Sequence, residues 1–552
     1  MAIAIRRLTI KRYRSLRDFT WTPHSGVNVF VGPADGGKSN VLAAISLLLA
    51  PSAQGARSEF DYFERRVADG FEIEALLSGL DATTLSTDRR LPPLFGLKED
   101  GSLEMLPSAG TEPVLKIRVA GTADLEAVHE IVAPSGDPFP FSVALRKKLG
   151  LVRVLDDDTA SRALRVSQTS LLGRQFDAAA LRGAAQGALA AASAGLTLPQ
   201  AATDTIEDLR TLFKAVGLPD DIMIGLGSPH GADLLQLLDI LRGVDRQTAI
   251  PIALSGNGTK ALLAVSLISR SAPNLVVLTF DEPERGLEPF RQRIAAAAIA
   301  ELGARGQAFI ATHSPTMLRA FSASAVWRLD ASKNPILFSP TVFARLLRQD
   351  PEAFFAPLPI VCEGVTEIGL LRAILPSLTG SSLEALGIHP VDGGGHGPTL
   401  DLAKGLADAG IRVAVFADNE TELEGTRAKV AAVATSFFWA SVKNIEEAVA
   451  RYVPMAQMGH VLAAARMEER YLMDQLKEAL PTLAEPVKSE WEAIAKSFDE
   501  QTLRDALARV MNELSWFKTA EHGERLGRAL LEIGIPREMQ DELQPFADRL
   551  KA

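Results

Sequence analysis

Two pairs of acidic residues in this sequence follow short apolar segments, a position in which carboxylates can hold a divalent metal. The segment PIVCEGVTE (359–367) places Glu363 after an apolar run and Glu367 four residues later, in the first turn of a predicted helix. The segment IRVAVFADNETE (411–422) places Asp418 after a second apolar run, with Glu420 two residues on. Carboxylates that are forced together repel each other unless one keeps a proton or a cation lies between them. Compensation of the helix N-terminus is an alternative role for Glu367, but it leaves Glu363 unexplained.

A glycine-rich loop earlier in the chain has the residues needed to bind phosphate. The segment VNVFVGPADGGKSN (27–40) predicts a strand, a loop and a helix, and Gly32, Gly37, Lys38 and Ser39 fit the pattern G-x-x-x-x-G-K-[ST]. The glycines let backbone N–H groups approach phosphate oxygens, Lys38 adds a positive charge, and Ser39 can ligate Mg²⁺. We include the next residue, Asn40, among the nucleotide-binding residues. ATP is therefore the expected cofactor of this part of the chain.

A second acidic strand end complements the loop. The run from Leu275 to Phe280 is continuously apolar, as a buried parallel strand requires, and it ends in Asp281 and Glu282. The first acid can hold the Mg²⁺ water shell and the second can orient an attacking water. A helix-capping role for the pair is the alternative.

Two further segments complete an ordered set. LSGNGTKALLAVSLI (254–268) places Ser255 and Gly256 at a predicted helix start, and AFIATHSPTML (308–318) places His313 after another apolar strand. The order of the four segments resembles that of ABC-type ATPases, although Asn257 stands where transporters usually carry glycine. KRYRSLRDF (11–19) and ATHSP are more similar to the SMC, RecF and OLD branches. This resemblance implies that Ser255 and Gly256 meet the γ-phosphate bound by a partner subunit and that His313 senses the phosphate.

The later acids resemble a Toprim domain. A strand followed by Glu-Gly and a helix, then a strand followed by three glycines (Gly393–Gly395), then a strand followed by Asp-x-acid is the order of that fold. The resemblance implies a small parallel sheet whose acids bind Mg²⁺ for chemistry at a phosphodiester. Glu420 departs from the usual second aspartate. We expect Cys362 to be a buried strand residue and expect no phosphate contact from His396, beside the glycines.

An ABC-type ATPase followed by a Toprim domain resembles the OLD (overcoming lysogenization defect) family of nucleases. The resemblance adds Asn444 and Glu446, in SVKNIEEAV, and Lys518, in LSWFKTAEHGERLG. It implies two Mg²⁺ or Mn²⁺ ions, with Lys518 stabilising the charged transition state; a solvated helix lysine is the alternative for that residue. The candidate metal ligands of this site are Glu363, Glu367, Asp418, Glu420, Asn444 and Glu446, and Ser39 and Asp281 are those of the ATP site.

A chain of 552 residues predicts two to four domains. The fold class is α/β: an ABC-type P-loop ATPase with a helical insertion, a Toprim domain and a C-terminal helical region. We place the ATPase at 1–157 and 246–350, the insertion at 158–245, the Toprim domain at 351–455 and the helical region at 456–552. The alternating segments 71–79 and 114–121 predict an antiparallel flanking sheet.

The insertion contains an alanine-rich stretch (176–195) and one clear amphipathic helix. In TDTIEDLRTLFKAVGLP (203–219), Asp204 or Thr205 is the predicted start, and the apolar positions are Ile206, Leu209, Leu212 and Phe213. The sequence leaves two roles open for this insertion: it could be a dimerisation arm, or it could simply pack on its own domain.

Composition restricts the function classes further. The single cysteine excludes a disulfide framework and a cysteine-based zinc site, and no apolar run reaches the roughly 20 residues of a membrane span. The net charge of −10 argues against coating nucleic acid by bulk charge. We expect a cytoplasmic protein that forms a homodimer or higher homo-oligomer, binds double-stranded DNA and no membrane, and could work with a helicase.

The leading hypothesis is an ATP-regulated, metal-dependent DNA endonuclease or nickase that could act in phage defence or DNA processing. A RecF- or SMC-like repair scaffold whose Toprim domain does not cut is the alternative. A topoisomerase or primase is disfavoured because the chain has only four tyrosines and no recognisable DNA-gate domain.

Overall fold

The structure is a computed structural model in which the chain divides into two compact units, Met1–Leu337 and Phe338–Ala552. It describes residues 3–50, 58–80, 94–149, 151–154, 180–181, 198–226, 238–245, 248–270, 277–419, 424–464, 491–514 and 516–551. Most of the predicted insertion, including nearly all of its alanine-rich stretch, lies outside the described residues. Among the described helices, none combines the length and the apolar character needed to cross a membrane.

The first unit contains seventeen described strands and six described α-helices, with short 3-10 segments between some of them. The strands are β1 Ala4–Tyr13, β2 Leu16–Trp21, β3 Val27–Val31, β4 Phe71–Ser78, β5 Phe95–Leu97, β6 Leu103–Glu104, β7 Glu112–Gly121, β8 Ala127–Val132, β9 Pro138–Pro140, β10 Leu151–Val154, β11 Ile222–Leu226, β12 Leu238–Arg242, β13 Ile250–Pro251, β14 Val277–Asp281, β15 Gln307–Ala311, β16 Val326–Leu329 and β17 Pro335–Leu337. The helices are α1 Lys38–Leu48, α2 Val143–Lys148, α3 Gln200–Ala215, α4 Asn257–Arg270, α5 Pro289–Gly303 and α6 Pro315–Leu318.

A mostly parallel sheet carries the ATP-site segments. Its strand order is β10-β14-β15-β3-β16-β17, and only the β16–β17 pair is antiparallel. Every residue of β3 and β15 is buried, so their sequences are mostly apolar and do not alternate, and the two polar residues, Asn28 and Gln307, are buried as well. The central position of β3, between β15 and β16, brings the loop after it beside the ends of both neighbours.

An antiparallel sheet flanks the parallel one, as the alternating segments predict. Its order is β2-β1-β4-β7-β5-β6, with β8 and β9 continuing from β7. Ile3, directly before β1, and Ile5, Leu8 and Ile10 within it are buried. The step of three residues from Ile5 to Leu8 coincides with a shift in the pairing register with β4 after Ile5. An extra residue at such a shift returns the later apolar side chains to the buried face.

The amphipathic helix of the insertion is present, but its predicted start is wrong. Helix α3 begins at Gln200, directly after Pro199, whose restricted φ of −57° suits the residue before a first helical turn. Asp204 lies inside the helix, where its Oδ1 accepts a hydrogen bond from Gln200 Nε2 (2.8 Å). The Thr205 hydroxyl donates to the Ala201 carbonyl (2.7 Å). Both polar side chains are satisfied within the helix, so neither acts as its cap.

The apolar face of α3 packs on the first unit itself. Ile206, Leu209, Leu212 and Phe213 are buried, as predicted. They belong to one core cluster with Ile222 and Ile224 of β11, Leu262 of α4 and Leu287. The described helix therefore presents its apolar face to its own unit, in agreement with the second of the two interpretations above.

The second unit is a four-stranded parallel sheet surrounded by helices, in the order β19-β18-β20-β21. Its strands are β18 Leu358–Cys362, β19 Ile388–Asp392, β20 Ala414–Ala417 and β21 Thr435–Phe438. Its helices are α7 Pro340–Gln349, α8 Val365–Thr379, α9 His396–Asp408, α10 Glu424–Ala431, α11 Ile445–Tyr452, α12 Met455–Ala464, α13 Trp491–Ser497, α14 Glu500–Leu514, α15 Ala520–Glu532 and α16 Arg537–Lys551. Helix α7, which the predicted division placed with the ATPase, lies in this unit.

The C-terminal helices share one core with the parallel sheet. Ile360 of β18 and Phe416 of β20 belong to the same buried cluster as Leu507 of α14, Leu530 of α15 and Phe546 of α16. If the C-terminal helices formed a separate bundle, their apolar residues would form a core separate from that of the sheet. These helices are therefore an integral part of the second unit.

Helices α8 and α15 approach each other closely through glycines. A Cβ atom added at Gly369 of α8 would overlap the Ala520 carbonyl oxygen, and one added at Gly523 of α15 would overlap the Thr366 carbonyl oxygen. Thr366 precedes Glu367, so this contact sets the position of the helix turn that carries an acid.

We expect Gly523→Ala to destabilise the second unit by about 1–3 kcal/mol, because the added methyl group must push α15 away from Thr366. Calorimetry on the full chain should show a lower unfolding temperature. Gly425→Ala is the matched control, since none of the described residues comes within 4 Å of its Cβ position, and its effect should stay within about 1 kcal/mol. Equal effects of the two substitutions would contradict the close packing of α8 on α15.

Candidate functional sites

The glycine loop joins β3 to α1 and encloses a buried lysine. Gly32 and Gly37 have φ angles of 126° and 98°, which residues with a Cβ rarely adopt. Lys38 Nζ donates hydrogen bonds to the carbonyl oxygens of Gly32 (3.0 Å) and Pro33 (2.6 Å). Burial lowers the pKa of Lys38 to about 8, against the opposing effect of Asp281. A buried ammonium at a helix N-terminus is suited to an anionic ligand.

Arg328 provides a second buried cation at this loop. It lies on β16, where its backbone pairs with Val31, and its side chain packs over Gly32, with Cγ 3.7 Å from where a Cβ of Gly32 would be. Only 4% of the residue is exposed, and burial lowers the pKa of Arg328 to about 10. Its charge also lowers the pKa of Lys38. Sequence reasoning missed this residue because it lies 290 positions from Lys38 and outside every motif.

The predicted catalytic acids of the first unit lie near this lysine. Asp281 ends β14, and both Asp281 and Glu282 raise the pKa of Lys38, opposing the effect of burial. Glu282 has a φ of 50°, and its N–H donates to the Ala311 carbonyl at the end of β15 (2.9 Å). A non-glycine residue in this left-handed conformation costs on the order of 1 kcal/mol or more, and such strain is concentrated at functional sites.

His313 joins the same group, and a missed glutamate positions it. Burial and then the charge of Lys38 lower the pKa of His313, whereas Glu282 raises it. Glu284 accepts hydrogen bonds from the His313 N–H (2.6 Å) and from the Thr312 hydroxyl (2.8 Å), and burial raises its pKa. The only sequence signal for Glu284 was its position two residues after Glu282.

Ser255 and Gly256 stand directly before helix α4, at the predicted helix start. The first turn of α4 packs on the loop after β14, where a Cβ at Gly258 would overlap the Gly286 carbonyl oxygen. Ser39 lies in the first turn of α1 with an exposed side chain, and Asn40 Nδ2 donates to the Ser15 hydroxyl (2.8 Å). That bond connects α1 to the turn between β1 and β2.

In the second unit, Glu363 stands at the carboxyl end of the central strand β18. Its N–H donates to the Phe416 carbonyl of β20 (3.0 Å). Its Oε2 accepts hydrogen bonds from the Asp418 N–H (3.0 Å) and from His396 Nδ1 (2.9 Å). The parallel alignment of β18, β19 and β20 therefore brings Glu363, Asp418 and His396 to one edge of the sheet.

Two further predicted acids, Glu367 and Glu446, have raised pKa values. Glu367, in the first turn of α8, is only 8% exposed, and burial, with the charges of Glu363 and Glu446, raises its pKa to about 7. Burial also raises the pKa of Glu446, where Glu363 acts in the same direction and Lys518 opposes it. Glu363, Glu367, Glu446 and Lys518 are thus close enough to influence one another.

Lys518 has an exposed side chain and directly precedes Thr519, whose hydroxyl caps α15 by accepting from the His522 N–H (3.1 Å). Asn444 has a structural role at another helix start. Its Oδ1 caps α11 by accepting from the Glu447 N–H (2.9 Å), and its Nδ2 donates to Asn512 Oδ1 (2.6 Å). Glu420 lies outside the described residues.

The chemistry of these acids suits a hard dication, although their present arrangement does not enclose one. Among the described residues, no group of three or more His, Cys, Asp or Glu side chains is arranged to hold a metal ion. Carboxylate oxygens are the ligands that Mg²⁺ and Mn²⁺ prefer, and the raised pKa values of Glu367 and Glu446 mark a place where added positive charge would be favourable.

The glycines after β19 are hydrogen-bonded to the backbone at the end of β18, beside Glu363. The N–H groups of Gly393 and Gly395 donate to the carbonyl oxygens of Cys362 (2.7 Å) and Glu363 (2.8 Å). Cys362 is fully buried, and burial raises its pKa, so it is the strand residue that we expected and is poorly suited to act as a nucleophile. Sequence reasoning gave no role to His396, which follows these glycines.

Family models place these two sites in known classes. Residues 27–319 match the family described as "AAA domain, putative AbiEii toxin, Type IV TA system". Residues 354–419 match the Toprim domain of proteins like the overcoming lysogenization defect protein. The chain belongs to the OLD-type ATPase–Toprim fusions. The glycine loop, Asp281, Glu282 and His313 lie within the matched ATPase domain of this OLD-type protein. Glu363, Glu367 and Asp418 lie within the matched Toprim domain, and Glu446 and Lys518 follow it in the chain.

Solved structures similar to this OLD-type chain are SMC head domains, at low similarity. One is an SMC head bound to the C-winged helix domain of ScpA (15% identity, TM-score 0.42, covering 61% of this chain and 98% of that one). Another, from Pyrococcus furiosus, has an extended coiled coil and is bound to the C-terminal domain of ScpA (14%, 0.40, 62% and 98%). A third is from Thermotoga maritima (12%, 0.32, 61% and 99%). A search of curated proteins found no match.

The buried acid of the Toprim domain should make stability depend on pH. Between its ordinary value of 4.5 and about 7, Glu367 is ionised in the unfolded chain but protonated in the folded one. Without metal, stability should therefore fall as the pH rises through this interval and level off above it. Glu446 acts in the same direction.

Calorimetry in EDTA checks this expectation. The unfolding temperature of the wild type should decrease more between about pH 5 and pH 7 than that of Glu367→Gln, whose amide does not ionise. Glu384→Gln, at an exposed position of the same unit, should keep the wild-type profile. Parallel profiles for Glu367→Gln and the wild type would show that Glu367 is ionised in both states.

Proposed function

We propose that this protein is an ATP-regulated, divalent-metal-dependent DNA endonuclease or nickase. The observation that supports the proposal most strongly is the crowding of Glu363, Glu367 and Glu446 at one end of the Toprim sheet, where burial and like charges raise the pKa of two of them. Buried carboxylates of like charge are costly to keep together. Binding of one or two divalent metal ions during the reaction would offset that cost.

Each residue of the Toprim domain has a defined role in this proposal. Glu363, Glu367, Asp418 and Glu446 would supply the ligands for Mg²⁺ or Mn²⁺. The metal, when bound, would polarise the scissile phosphate and activate water. Lys518, exposed beside Glu446, would place a positive charge near the non-bridging oxygens of that phosphate. We give Asn444 a smaller part, because its amide oxygen already caps α11.

In the ATPase domain we assign triphosphate binding to the glycine loop with Gly32, Gly37, Lys38, Ser39 and Asn40. Asp281 would hold Mg²⁺ through its water shell, and Glu282 would orient the attacking water. His313, Ser255 and Gly256 would read the γ-phosphate, with the last two serving the partner subunit of a homodimer. Double-stranded DNA as substrate, a helicase partner, cytoplasmic location and a role in phage defence belong to the same proposal.

A DNA-binding ATPase scaffold with a non-cutting Toprim domain is the second candidate. Glu420, which stands where Toprim domains usually have a second aspartate, is the sequence feature that favours it. The two candidates differ in a single assay: incubation of the full chain with supercoiled plasmid, varying metal (none, Mg²⁺, Mn²⁺) and nucleotide (none, ADP, ATP) independently. Metal-dependent nicking or linearisation supports the nuclease, and intact plasmid in every condition supports the scaffold.

Glu363→Ala should reduce plasmid cleavage by about 100-fold or more, because it removes the acid at the end of the central strand. The ATP hydrolysis rate should stay within about twofold of the wild type, because Glu363 lies in the other unit. Glu384→Ala, which removes an exposed acid from the same unit, should leave both activities unchanged. Wild-type cleavage by Glu363→Ala would refute the assigned site.

Glu282→Gln should have the reciprocal effect. Loss of the carboxylate that orients water should lower ATP hydrolysis by about 100-fold. Cleavage that occurs without nucleotide should be unchanged, because the Toprim residues are intact. Glu288→Gln, which changes an exposed acid at the start of α5, is the control. Loss of nucleotide-free cleavage in Glu282→Gln would contradict the assignment of separate roles to the two sites.

A further inference from the structure

A histidine that no motif predicted is bound to the central acid of the Toprim site. His396 Nδ1 lies 2.9 Å from Glu363 Oε2, and only 3% of the histidine side chain is exposed. The Asp418 N–H donates to the same oxygen (3.0 Å). Both described hydrogen bonds to the carboxylate thus go to Oε2, and the other oxygen, Oε1, receives neither.

The glycines before His396 place it there. Gly394 and Gly395 have φ angles of 67° and 108°, so the turn into α9 needs residues without a Cβ. The Gly395 N–H donates to the Glu363 carbonyl oxygen (2.8 Å), which joins this turn to the backbone of the residue whose side chain His396 contacts. The loop therefore holds Glu363 at two points, its main chain and its carboxylate.

The second ring nitrogen of His396 makes no hydrogen bond to a described residue that would favour burying a histidine at this position. Within the described part of the chain, His396 Nε2 is buried and has no hydrogen-bond partner. An unsatisfied buried polar atom costs about 1–3 kcal/mol. A leucine would fill a similar space without that cost. The contact with Glu363 is the interaction that a histidine provides here and an apolar residue does not.

We propose that His396 is a positioning residue of the Toprim metal site. Together with the Asp418 N–H it holds Glu363 through Oε2, so that Oε1 is the oxygen offered to a divalent metal. A carboxylate fixed by hydrogen bonds loses less rotational freedom when it binds a cation, and such supporting contacts typically change metal affinity by about 10-fold to 100-fold. This inference rests on the metal site proposed above and names a further residue on which its affinity depends.

Two substitutions of similar size separate the hydrogen bond from packing. In His396→Asn the amide nitrogen is as many bonds from Cβ as Nδ1 and can donate to Glu363, whereas His396→Leu has no donor. Mn²⁺ binding to the full, nucleotide-free chain would be measured by electron paramagnetic resonance. We expect His396→Leu to weaken Mn²⁺ binding by about tenfold or more, and His396→Asn to stay within about threefold of the wild type.

Two further variants make the outcome decisive. His389→Leu removes another histidine–carboxylate contact of the same sheet, that with Asp350, and should lower the unfolding temperature without changing Mn²⁺ affinity. Glu363→Ala should weaken Mn²⁺ binding more than any histidine variant. If His396→Leu does not fold, His396→Ala replaces it, and added imidazole should restore its Mn²⁺ affinity.

The results that overturn the inference differ from those that overturn the proposed site. Unchanged Mn²⁺ affinity in His396→Leu, or an equal loss in the asparagine and leucine variants, refutes the positioning role if Glu363→Ala is impaired. For the alanine variant, failure of imidazole to restore affinity has the same meaning. Unchanged Mn²⁺ affinity in Glu363→Ala refutes the metal site itself, and the inference with it.

Discussion

The crowding of carboxylates at the carboxyl end of a parallel sheet is the constraint on which the Toprim domain depends. Burying like charges is unfavourable, and burial together with neighbouring carboxylates raises the pKa values of Glu367 and Glu446. The fold maintains this arrangement because the acids are held by backbone geometry. Glu363 directly follows β18 and Glu367 lies in the first turn of α8, so the turn at Gly364 brings the two carboxylates together.

Contacts with neighbouring residues then determine the orientation of the Glu363 carboxylate and the position of Glu367. His396 and the Asp418 N–H hold one oxygen of Glu363, while the close contact of α15 with Thr366 sets the turn that carries Glu367. Lys518 lies two residues before the start of α15, next to the capping residue Thr519. One C-terminal helix therefore positions an acid of the site and is preceded by the cation proposed to act with it. The core that the sheet shares with the C-terminal helices holds that helix in place.

The ATPase domain also holds buried charged side chains at the end of a parallel strand, but the buried groups at its loop are cations. There a glycine loop at a strand end surrounds a buried lysine, and Arg328 adds a second cation from the neighbouring strand. Two buried cations held near backbone N–H groups would be compensated by an anionic phosphate, and crowded carboxylates would be compensated by a dication. In each unit the ligand proposed for the site would carry the charge opposite to these buried groups, in addition to the charges of Asp281 and Glu282 beside Lys38.

The sequence by itself determined the order of the strands and loops that carry chemistry. Continuous apolar runs followed by Gly, Glu or Asp predicted β3, β14, β18 and β20 because a parallel strand buried on both faces must be apolar, and its functional residues must follow its end. The glycine loop and Glu363 could be predicted for this reason. The start of α3 could not, because Pro199 and hydrogen bonds inside the helix overrode the local capping signals.

Only the tertiary structure decided which distant residues support those strand ends. Arg328, Glu284, His396 and Gly523 act through contacts with residues that are close in space, and no periodicity or motif marks such contacts. It likewise gave the oxygen of Asn444 a role as a helix cap. The physical reason is that a local pattern reports backbone conformation and burial. The partner of a side chain depends on how separate elements pack together.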